Sequence, residues 1–553
     1  MTEIPRESQT SIDDHDDSTW ITDEESFFSP PLIKQPPVLL REIVALFVLV
    51  LACDLTLYRS FGFAGPGVLF LIAPLMLGIG TVQRRWGTSV WVMLLLLILL
   101  SLRLLWCGSW SAVAAGFVLI GGFSMSLAGF RPYLTRGLIF TSQLIAAGYR
   151  RSNHYFRVLA QSSFRNLGRF SPVILSTNLL AIILPIMALI TFASIFVLAN
   201  PDLVKLFGEN LTQLVEWLEG VMVQVEVGEF LFCLAAAGII AGLLRPDPLT
   251  SESRPRPNFK REAIKSLFYE AYRNTLVMVI GLFSIYLAFE FQTLWFRTFP
   301  PGFHYSGYAH EGAAWLTVAL GLATLMLSLI FRGSILNDPR LPRLRLLSSV
   351  WSLLNLLLVL AVFNRLFIYI GFNGMTRMRV VGLLGVASVF GGFLLVLRKI
   401  GRQHDFTWLI RHQLWTVAFA GYLYVVLPVD AFVNQFNVNR ILAGDPRPSV
   451  QIAAHPTSDE GWLCLKPLMN CTDPVIQAGV RGMLDLKRES LENQLLKDQQ
   501  HGWTTRQIAT DRLVSQLRAS KGIWTSEPWS NERGGPSRQS VIDQFQRYSY
   551  QWY

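Results

Sequence analysis

Four ionisable side chains lie within long apolar stretches of this sequence, where a charge is costly to bury. They are Asp54, Arg103, Glu290 and Arg365. Each costs about 2.5 to 3.5 kcal/mol at the centre of a membrane span on insertion scales, so each is a candidate functional residue. The alternative is structural, because Asp54 and Arg103 lie toward the ends of their stretches, where a side chain can reach water or pair across helices.

Glu290 has the most distinctive surroundings of the four. It stands among aromatic residues in the stretch from Tyr286 to Phe296. A carboxyl group in this setting is suited to hydrogen bonding or to carrying a proton. A purely structural role is equally compatible with the sequence.

A short polar connection follows that stretch. Residues 302–312 include Tyr305, Tyr308, His310 and Glu311. Imidazole and carboxylate groups can bind a metal, but His310 and Glu311 are adjacent and not spaced along one helix face, which makes a metal the weaker interpretation. A polar head group is a second candidate ligand. An interfacial belt of aromatic side chains with polar tips explains the same composition without any ligand.

No familiar catalytic motif accompanies these residues. The sequence contains no Walker loop, no HExxH pair and no GxSxG elbow. This argues against an ATPase, a zinc protease and an ordinary serine hydrolase. A membrane transferase that uses scattered carboxylates and arginines is still compatible with the sequence.

The composition indicates which elements must position these side chains. Of 553 residues, 52% are hydrophobic and only 16% are charged, whereas a soluble domain has roughly 25% charged residues. The mean hydropathy is +0.39, and the apolar residues come in runs of about 18 to 25, long enough to cross a bilayer as a helix. The sequence therefore predicts an all-α, polytopic transmembrane helix bundle and excludes a soluble enzyme.

The apolar runs predict about eleven transmembrane helices and five domains. The runs lie near residues 39–57, 64–82, 88–107, 110–130, 172–199, 229–244, 274–296, 312–331, 348–370, 379–397 and 408–430. The predicted domains are a disordered acidic cytoplasmic tail (1–38), N-terminal transmembrane helices (39–130), a basic interfacial cytoplasmic segment (131–171), the main transmembrane bundle (172–430) and a small extramembrane helical C-terminal domain (431–553).

Lysine and arginine are unevenly divided between alternate connections. One set of connections holds 24 of these residues and the other set holds five. Because cytoplasmic loops carry the excess of basic residues, this asymmetry predicts a cytoplasmic N-terminus and, with an odd number of spans, an external C-terminal domain. These loops also explain the net charge of +10, so nucleic acid is not an expected partner.

Two of the five cysteines lie in the predicted external domain and enclose a short loop. Cys464 and Cys471 are separated by Leu-Lys-Pro-Leu-Met-Asn, and an oxidising compartment favours a disulfide between them. The alternative is a pair of unrelated thiols. Zinc is the weaker interpretation, because no second cysteine pair is present and the only nearby histidine is His455. No metal or other cofactor is predicted.

Three patches of the sequence carry a resemblance when they are taken together. They are Tyr305-Ser-Gly-Tyr308 followed by Gly312, then Asn364-Arg365-x-x-x-Tyr369 with Gly374-Met-Thr376-x-x-Arg379, and finally Pro428-x-Asp430 with Asn437-Val438-x-Arg440. In this order they resemble an uncharacterised bacterial family of polytopic inner-membrane proteins known only as a domain of unknown function. The similarity covers roughly residues 260 to 480. It implies a location in the bacterial inner membrane and brings no substrate or catalytic residue.

The same patches predict one polar site at the outer membrane face. Their arginines are cations on the side where the charge rule predicts few, and nearby tyrosine and asparagine side chains are neutral donors. The candidate anion site comprises Glu290, Tyr305, Tyr308, His310, Glu311, Arg365, Tyr369, Thr376, Arg379, Asp430, Asn437 and Arg440. The alternative is that the carboxylates pair with the arginines and fix helix packing.

Two classes of function remain open. The first is a membrane interaction, assembly or sensing protein of the bacterial envelope, which explains the missing catalytic motifs and the long tails. The second is a transporter or a lipid- or glycan-handling membrane enzyme that uses the outer-face site, although no convincing internal repeat supports a transporter. The predicted partners are the lipid bilayer and an anionic lipid or envelope head group. The sequence identifies no protein partner.

Overall fold

The computed structural model describes most of the chain. The described residues are 38–81, 85–141, 227–245, 268–292, 305–331, 338–402, 406–498, 502–520 and 537–552, together with 144, 148, 266, 335, 404 and 523. All regular structure in these ranges is helical, which confirms the all-α prediction for this part of the chain. The acidic tail, the predicted span at 172–199 and most of the interfacial segment 131–171 lie outside the described residues.

Five helices pack into a first group. They are α1 (Leu40–Cys53), α2 (Ala64–Gly80), α3 (Thr88–Cys107), α4 (Trp110–Leu127) and α5 (Val227–Leu244). A π-helical turn, Asp54–Tyr58, extends α1. Small residues let these helices approach closely, since a Cβ on Gly116 of α4 would overlap the ring of Phe70 of α2. The buried core between them is aliphatic and aromatic.

Five further helices form a second group. They are α6 (Tyr269–Glu290), α7 (Tyr305–Ile330), α8 (Leu341–Asn373), α9 (Arg377–Arg402) and α10 (Phe406–Val426). Trp351 lies in the core of this group with 1% of its surface exposed, and the Phe283 ring meets it edge-on with 5.8 Å between centroids. The hydroxyl of Tyr422 on α10 donates to the carbonyl of Leu96 on α3 at 2.8 Å, so α10 joins the two groups.

Apolar side chains cover the outward faces of both groups. Leu102, Leu282 and Phe367 are 55%, 64% and 58% exposed. A helix that is apolar on its buried and its exposed faces suits a lipid environment, because lipid does not require a polar outer face. Among the described residues, five helices are long and apolar enough to cross a membrane, or six if α10 and the following helix, bent by 66°, form one span. The chain is therefore a helical membrane protein.

Ten of the eleven predicted apolar runs coincide with α1–α10. The remaining run, 172–199, lies outside the described residues. α2 (Ala64–Gly80) is shorter than an ordinary span, and so are the parts of α5 and α7 whose side chains the structure describes, Gly228–Leu244 and Trp315–Ile330. The predicted total of eleven membrane crossings therefore stays a prediction.

The chain bends sharply after α10. Pro428 precedes α11 (Val429–Leu442), and the axes of the two helices differ by 66°. Proline has no backbone N–H and its ring clashes with the preceding helical turn, so it ends α10 and starts a new direction. The predicted domain boundary at residue 430 thus falls inside α11, two residues after Pro428.

A helical region follows the bend, and we call residues 429–552 the C-terminal region. After α11 it contains α12 (Ser449–Ala454), α13 (Asp459–Leu463), α14 (Pro474–Asp498), α15 (Ile508–Ala519) and α16 (Arg538–Tyr550). It has its own core, in which Leu468, Ile476 and Phe545 are fully buried. A Cβ on Gly479 of α14 would overlap the ring of Phe545, so α14 and α16 pack closely.

The C-terminal region lies against one end of the bundle, which we call the domain end. The N–H of Phe61, between α1 and α2, faces Oγ1 of Thr504 at 3.4 Å. The N–H of Gly108, between α3 and α4, donates to Oε1 of Gln507 at 2.9 Å. The turn after α8 lies at the same end, since the N–H of Met375 donates to Oδ1 of Asn437 in the C-terminal region at 2.7 Å.

The opposite end, which we call the basic end, has its own polar contacts. Nε of buried Arg245 donates to Oε2 of Glu42 at 2.8 Å, which links the end of α5 to the start of α1. Near the start of α8, Asp338 accepts hydrogen bonds from the N–H of Ser266 at 2.7 Å and from Nη2 of Arg340 at 3.0 Å. The hydrogen bonds from Arg340 hold the pKa of Asp338 well below its usual range.

Candidate functional site

Arg365 of α8 and Glu290 of α6 form a buried ion pair. Nε of Arg365 donates to Oε1 of Glu290 at 2.6 Å, and Nη2 donates to Oε2 at 2.5 Å. The side chains are 3% and 0% exposed. The hydroxyl of Tyr286, one helical turn before Glu290, donates to Oε2 at 2.9 Å and accepts from Nη2 of Arg365 at 3.1 Å. Each buried charge thus has an oppositely charged partner, which agrees with the alternative that these residues fix helix packing.

The turn between α8 and α9 is held by side chains of the C-terminal region. Oδ1 of Asn437 accepts from the N–H of Met375 at 2.7 Å, and Nδ2 donates to the carbonyl of Met375 at 2.9 Å. Nε2 of Gln451 donates to the carbonyl of Asn373 at 2.9 Å. Gly374 has φ +86°, a conformation that glycine adopts without strain. Asn437 therefore binds backbone in this structure.

Arg440 also binds backbone, at the end of α8. Nη1 donates to the carbonyl of Ile370 at 3.0 Å and Nη2 to that of Gly371 at 2.8 Å, where the helical hydrogen bonds run out. Nη2 also pairs with Asp445. Burial alone would raise the pKa of Asp445, but hydrogen bonds from Arg447 and Arg440 hold it below its usual value.

Arg377 and Asp430 connect the first turn of α9 to the first turn of α11. Nε and Nη2 of Arg377 donate to the two carboxylate oxygens of Asp430, a bidentate geometry that matches the planar guanidinium. Oδ2 of Asp430 also accepts from the N–H of Ser458 at 2.8 Å. The side chain of Arg377 is 43% exposed and that of Asp430 is 10% exposed. Asp430 thus holds the connection between α12 and α13 near the start of α9.

Arg379 places a second cation close to Arg377. Its guanidinium carbon lies 3.8 Å from the centre of the Tyr369 ring, within cation–π distance. Nη1 donates to the carbonyl of Gly374, and only 5% of the residue is exposed. Arg379 and Tyr369 therefore form one packed unit between the end of α8 and the start of α9.

A cavity of about 710 Å³ lies between these contacts. Its wall comes from α7, α8, α9, α10, α11 and the residues of α12 with the connection that follows it. Among the side chains that the structure describes, four of the predicted site residues line it: Tyr369, Thr376, Arg379 and Asp430. The structure places Glu290, Arg365, Asn437 and Arg440 in the neighbouring contacts described above.

Several lining residues were not predicted from the sequence. Tyr424 on α10, Asn434 on α11, and His455 and Thr457 in the connection after α12 line the cavity. No local pattern connects them, since their proximity depends on the bend after α10 and on the contact between Ser458 and Asp430. Arg377 could have been identified from the sequence, because lysine and arginine are rare in the connections that are predicted to lie outside.

The predicted loop at 302–312 is helical in its described part. α7 begins at Tyr305, so residues 305–312 of the predicted connection belong to a helix. The structure describes the backbone of Tyr305, Tyr308, His310 and Glu311 but not their side chains. Their predicted role in a site stays a prediction.

The remaining ionisable candidates, Asp54 and Arg103, both have charged partners. Oδ2 of Asp54 lies 3.1 Å from Nε of Arg59, and Arg59 also pairs with Glu229 of α5. Near the end of α3, Nη2 of Arg103 donates to Oε1 of Glu460 at 2.7 Å. Both residues therefore have structural partners, and the partner of Arg103 belongs to the C-terminal region.

Cys464 and Cys471 are free thiols in the structure, which differs from the predicted disulfide. Sγ of Cys464 donates to the carbonyls of Ala431 and Glu460, each at 3.6 Å, and Sγ of Cys471 donates to the carbonyl of Asp473 at 3.4 Å. A short 3₁₀-helix between the cysteines directs their thiols toward different carbonyls. Burial raises the pKa of both thiols.

The described residues offer no group of three His, Cys, Asp or Glu side chains that could hold a metal ion. The described residues of the cavity instead offer two guanidinium groups, one carboxylate, hydroxyls and aliphatic wall residues. Guanidinium groups and hydroxyls can bind an anion through hydrogen bonds, and aliphatic side chains can contact an apolar chain.

The fold and this site define a helical membrane protein with a ligand-sized cavity at one end of its bundle. The family model described as Domain of unknown function (DUF4153) matches residues 67–454, more than half of the chain, and the chain belongs to this family. The resemblance to an uncharacterised family is thereby confirmed. No curated protein and no solved structure matches the chain. The connection that carries Thr457 and Ser458 lies beyond the matched residues.

Proposed function

We propose that the chain is a multi-pass protein of the bacterial inner membrane that holds its C-terminal region at the outer face, as an interaction or assembly protein. The observation that carries the proposal is the attachment of this region to both helix groups. Arg103 of the first group binds Glu460, and Arg377 of the second group binds Asp430, which also binds Ser458. The bundle therefore supports the C-terminal region from two sides.

The distribution of basic residues supports the orientation. The described cations at or near the basic end include Arg85, Arg131, Arg245, Arg273, Arg340, Arg398, Lys399 and Arg402. Since the cytoplasmic side of a membrane protein carries the excess of lysine and arginine, the basic end faces the cytoplasm and the C-terminal region lies outside. The directions of α4, which ends at the basic end, and α5, which begins at the domain end, agree with the span predicted at 172–199.

Reporter fusions test this orientation in intact bacteria. A reporter that is active only in the cytoplasm should be inactive after residue 553 and active when inserted after Arg402, at the basic end between α9 and α10. A second reporter that is active only outside the cytoplasm should give the opposite pattern. Cytoplasmic activity after residue 553 would overturn the proposed orientation.

Photo-crosslinking tests the interaction role. A photoreactive residue in place of Leu496 on α14, which is 65% exposed, should form an adduct with another protein in intact cells. The control is Leu282 on α6, which is 64% exposed but lies on a candidate span, where only lipid adducts are expected. If neither Leu496 nor other exposed positions of α14 give protein adducts, the interaction role is wrong.

A second candidate function is a transporter or a lipid- or glycan-handling membrane enzyme. One observation favours it, the cavity beside Arg377. Such a protein would move or change a molecule that it binds, whereas an interaction protein would only hold it. Purified protein in vesicles that converts or translocates a bound lipid would favour this second candidate.

A further inference from the structure

The cavity beside Arg377 extends from the polar start of α9 along its apolar turns. Its wall includes Arg377 and, nine residues later, Val386, which lies about 14 Å farther along the helix axis. α9 is one of the helices long and apolar enough to cross a membrane. One part of the cavity therefore lies at the level of the helix ends, and the other part lies beside the hydrophobic length of a span.

Among the described residues, the polar part of the cavity presents two guanidinium groups, those of Arg377 and Arg379, and one carboxylate, that of Asp430. Nε and Nη2 of Arg377 bind this carboxylate, while Nη1 has no partner in the part of the protein that the structure describes. A guanidinium has five N–H donors, so Arg377 can hold Asp430 and an added anion together. Hydroxyls of Thr376 and Thr457 offer further donors to the same anion.

The apolar part of the cavity has an aliphatic wall with room beside it. Leu366, Val381 and Val386 contribute side chains to the wall. Gly385 also lines the cavity, and a Cβ added there would meet no atom within 4 Å. An aliphatic surface of this kind favours a hydrocarbon chain over water.

We propose that the cavity binds one anionic membrane lipid, with a phosphate group beside Arg377 and part of an acyl chain along α9. A volume of about 710 Å³ lies within the roughly 300 to 1,000 Å³ of small-molecule sites. The proposal rests on the membrane placement of the bundle given above, which brings the polar part to the level of lipid head groups. Binding in detergent does not depend on which side faces outward, so failure of the reporter assay and failure of lipid binding are distinguishable.

A lipid titration of the purified full-length protein in detergent, followed by native mass spectrometry, distinguishes the contribution of the phosphate to binding from that of the acyl chains. Three probes are used: phosphatidylglycerol, diacylglycerol with the same chains but no phosphate, and glycerol 1-phosphate without chains. Phosphatidylglycerol should bind with one molecule per protein, and each of the other probes at least about tenfold more weakly, since each lacks one set of contacts. Equal binding of diacylglycerol would overturn the role of the phosphate. Equal binding of glycerol 1-phosphate would overturn a lipid ligand and identify a site for soluble phosphate esters.

Two kinds of variant locate the binding in this cavity. Arg377→Gln should weaken phosphatidylglycerol binding about tenfold or more, because a charge-assisted contact is lost. Since Asp430 also loses its partner in that variant, Gly385→Leu provides an independent test by filling the cavity without removing a charge. Its matched control is Gly421→Leu on α10, where an added Cβ also meets no atom within 4 Å and which does not line the cavity. Binding that is equal in the wild type and in both leucine variants would overturn the proposal.

Discussion

Arg103 and Glu460 are 357 positions apart in the sequence, yet both carboxylate oxygens of Glu460 accept from the guanidinium of Arg103. Nε1 of Trp106 donates to the same carboxylate at 3.1 Å. Glu460 is 1% exposed, so the negative charge depends on these donors. This pair fixes α13 of the C-terminal region to α3 of the bundle.

Loss of either partner in this pair should loosen the C-terminal region. Glu460→Gln or Arg103→Met leaves the other charge without its counter-ion in a poorly solvated place, which costs about 3 kcal/mol or more. The expected result is a lower melting temperature and faster proteolytic cleavage after residue 455. The control is Arg488→Met on α14, whose partly exposed pairs with Asp485 and Glu492 should contribute less than about 1 kcal/mol. Equal effects of Glu460→Gln and Arg488→Met would contradict the assigned role of the pair.

The buried pair of Arg365 and Glu290 should show strong coupling. Removing one partner leaves a buried charge, with an expected loss of about 3 to 5 kcal/mol, whereas replacing both with apolar residues of similar volume recovers much of that loss. The measurement is thermal unfolding in detergent of Arg365→Met, of Glu290→Leu and of the double variant. Additive effects of the two substitutions would show that the charges do not depend on each other.

A second comparison with Arg365→Lys distinguishes packing from anion binding. Lysine keeps the charge but cannot make the two parallel hydrogen bonds of a guanidinium. If the pair is structural, folded yield and cellular phenotype should fall together in Arg365→Ala and Arg365→Lys. A folded Arg365→Lys protein without the phenotype would instead favour an anion site at this position.

Asn437→Ala should destabilise the turn between α8 and α9. The N–H and the carbonyl of Met375 both lose their hydrogen-bond partner in a buried place, with an expected loss of about 1 to 3 kcal/mol per unsatisfied group. The control is Gln435→Ala on the same helix, since the Gln435 side chain is exposed and, among the described residues, bonds to Asn439 alone, and its effect should be within about 0.5 kcal/mol. Similar melting temperatures for the two variants would show that Asn437 does not hold the turn.

Cys464 and Cys471 should remain reduced in native protein. The intact mass of unreduced full-length protein should correspond to two thiols at these positions in a variant that has alanine at the other cysteines. Maleimide labelling at neutral pH should be slow in the folded state and fast after unfolding, because burial raises the pKa of both thiols and limits access. A mass lower by two hydrogens before reduction would show that the two cysteines form a disulfide and are not free thiols.

The contact between Tyr548 and Asp473 should make stability fall at alkaline pH. The hydroxyl of Tyr548 donates to Oδ2 of Asp473 at 2.6 Å, and this hydrogen bond, with burial, raises the pKa of Tyr548 to about 12. Because the folded pKa is above the unfolded value of about 10, the contribution is complete below about pH 10 and is lost as the pH rises through about 12. Melting temperatures from pH 9 upward should therefore converge for wild type and Tyr548→Phe. A constant difference over this range would refute the linkage.

The sequence alone determined the helices and the membrane class. Runs of apolar residues and the scarcity of charge are local properties, and a backbone without water must satisfy its own hydrogen bonds, so such runs become helices in any arrangement of the chain. The runs that lie on α1–α10 follow from this rule. The residues Glu290 and Arg365 also stood out, since a charge in an apolar run is visible without knowledge of its partner.

Only the tertiary structure decided which of these side chains meet. Arg365 pairs with Glu290 and Arg103 with Glu460, and neither partner can be derived from spacing, because a charge binds whichever opposite charge the packing brings near. The same holds for the cavity, whose wall joins Tyr369 with His455 across a bend at Pro428. The free thiols of Cys464 and Cys471 give the clearest case: their spacing permits a disulfide, but the direction of each Cα–Cβ bond, which the packed backbone sets, decides whether two sulfur atoms can approach.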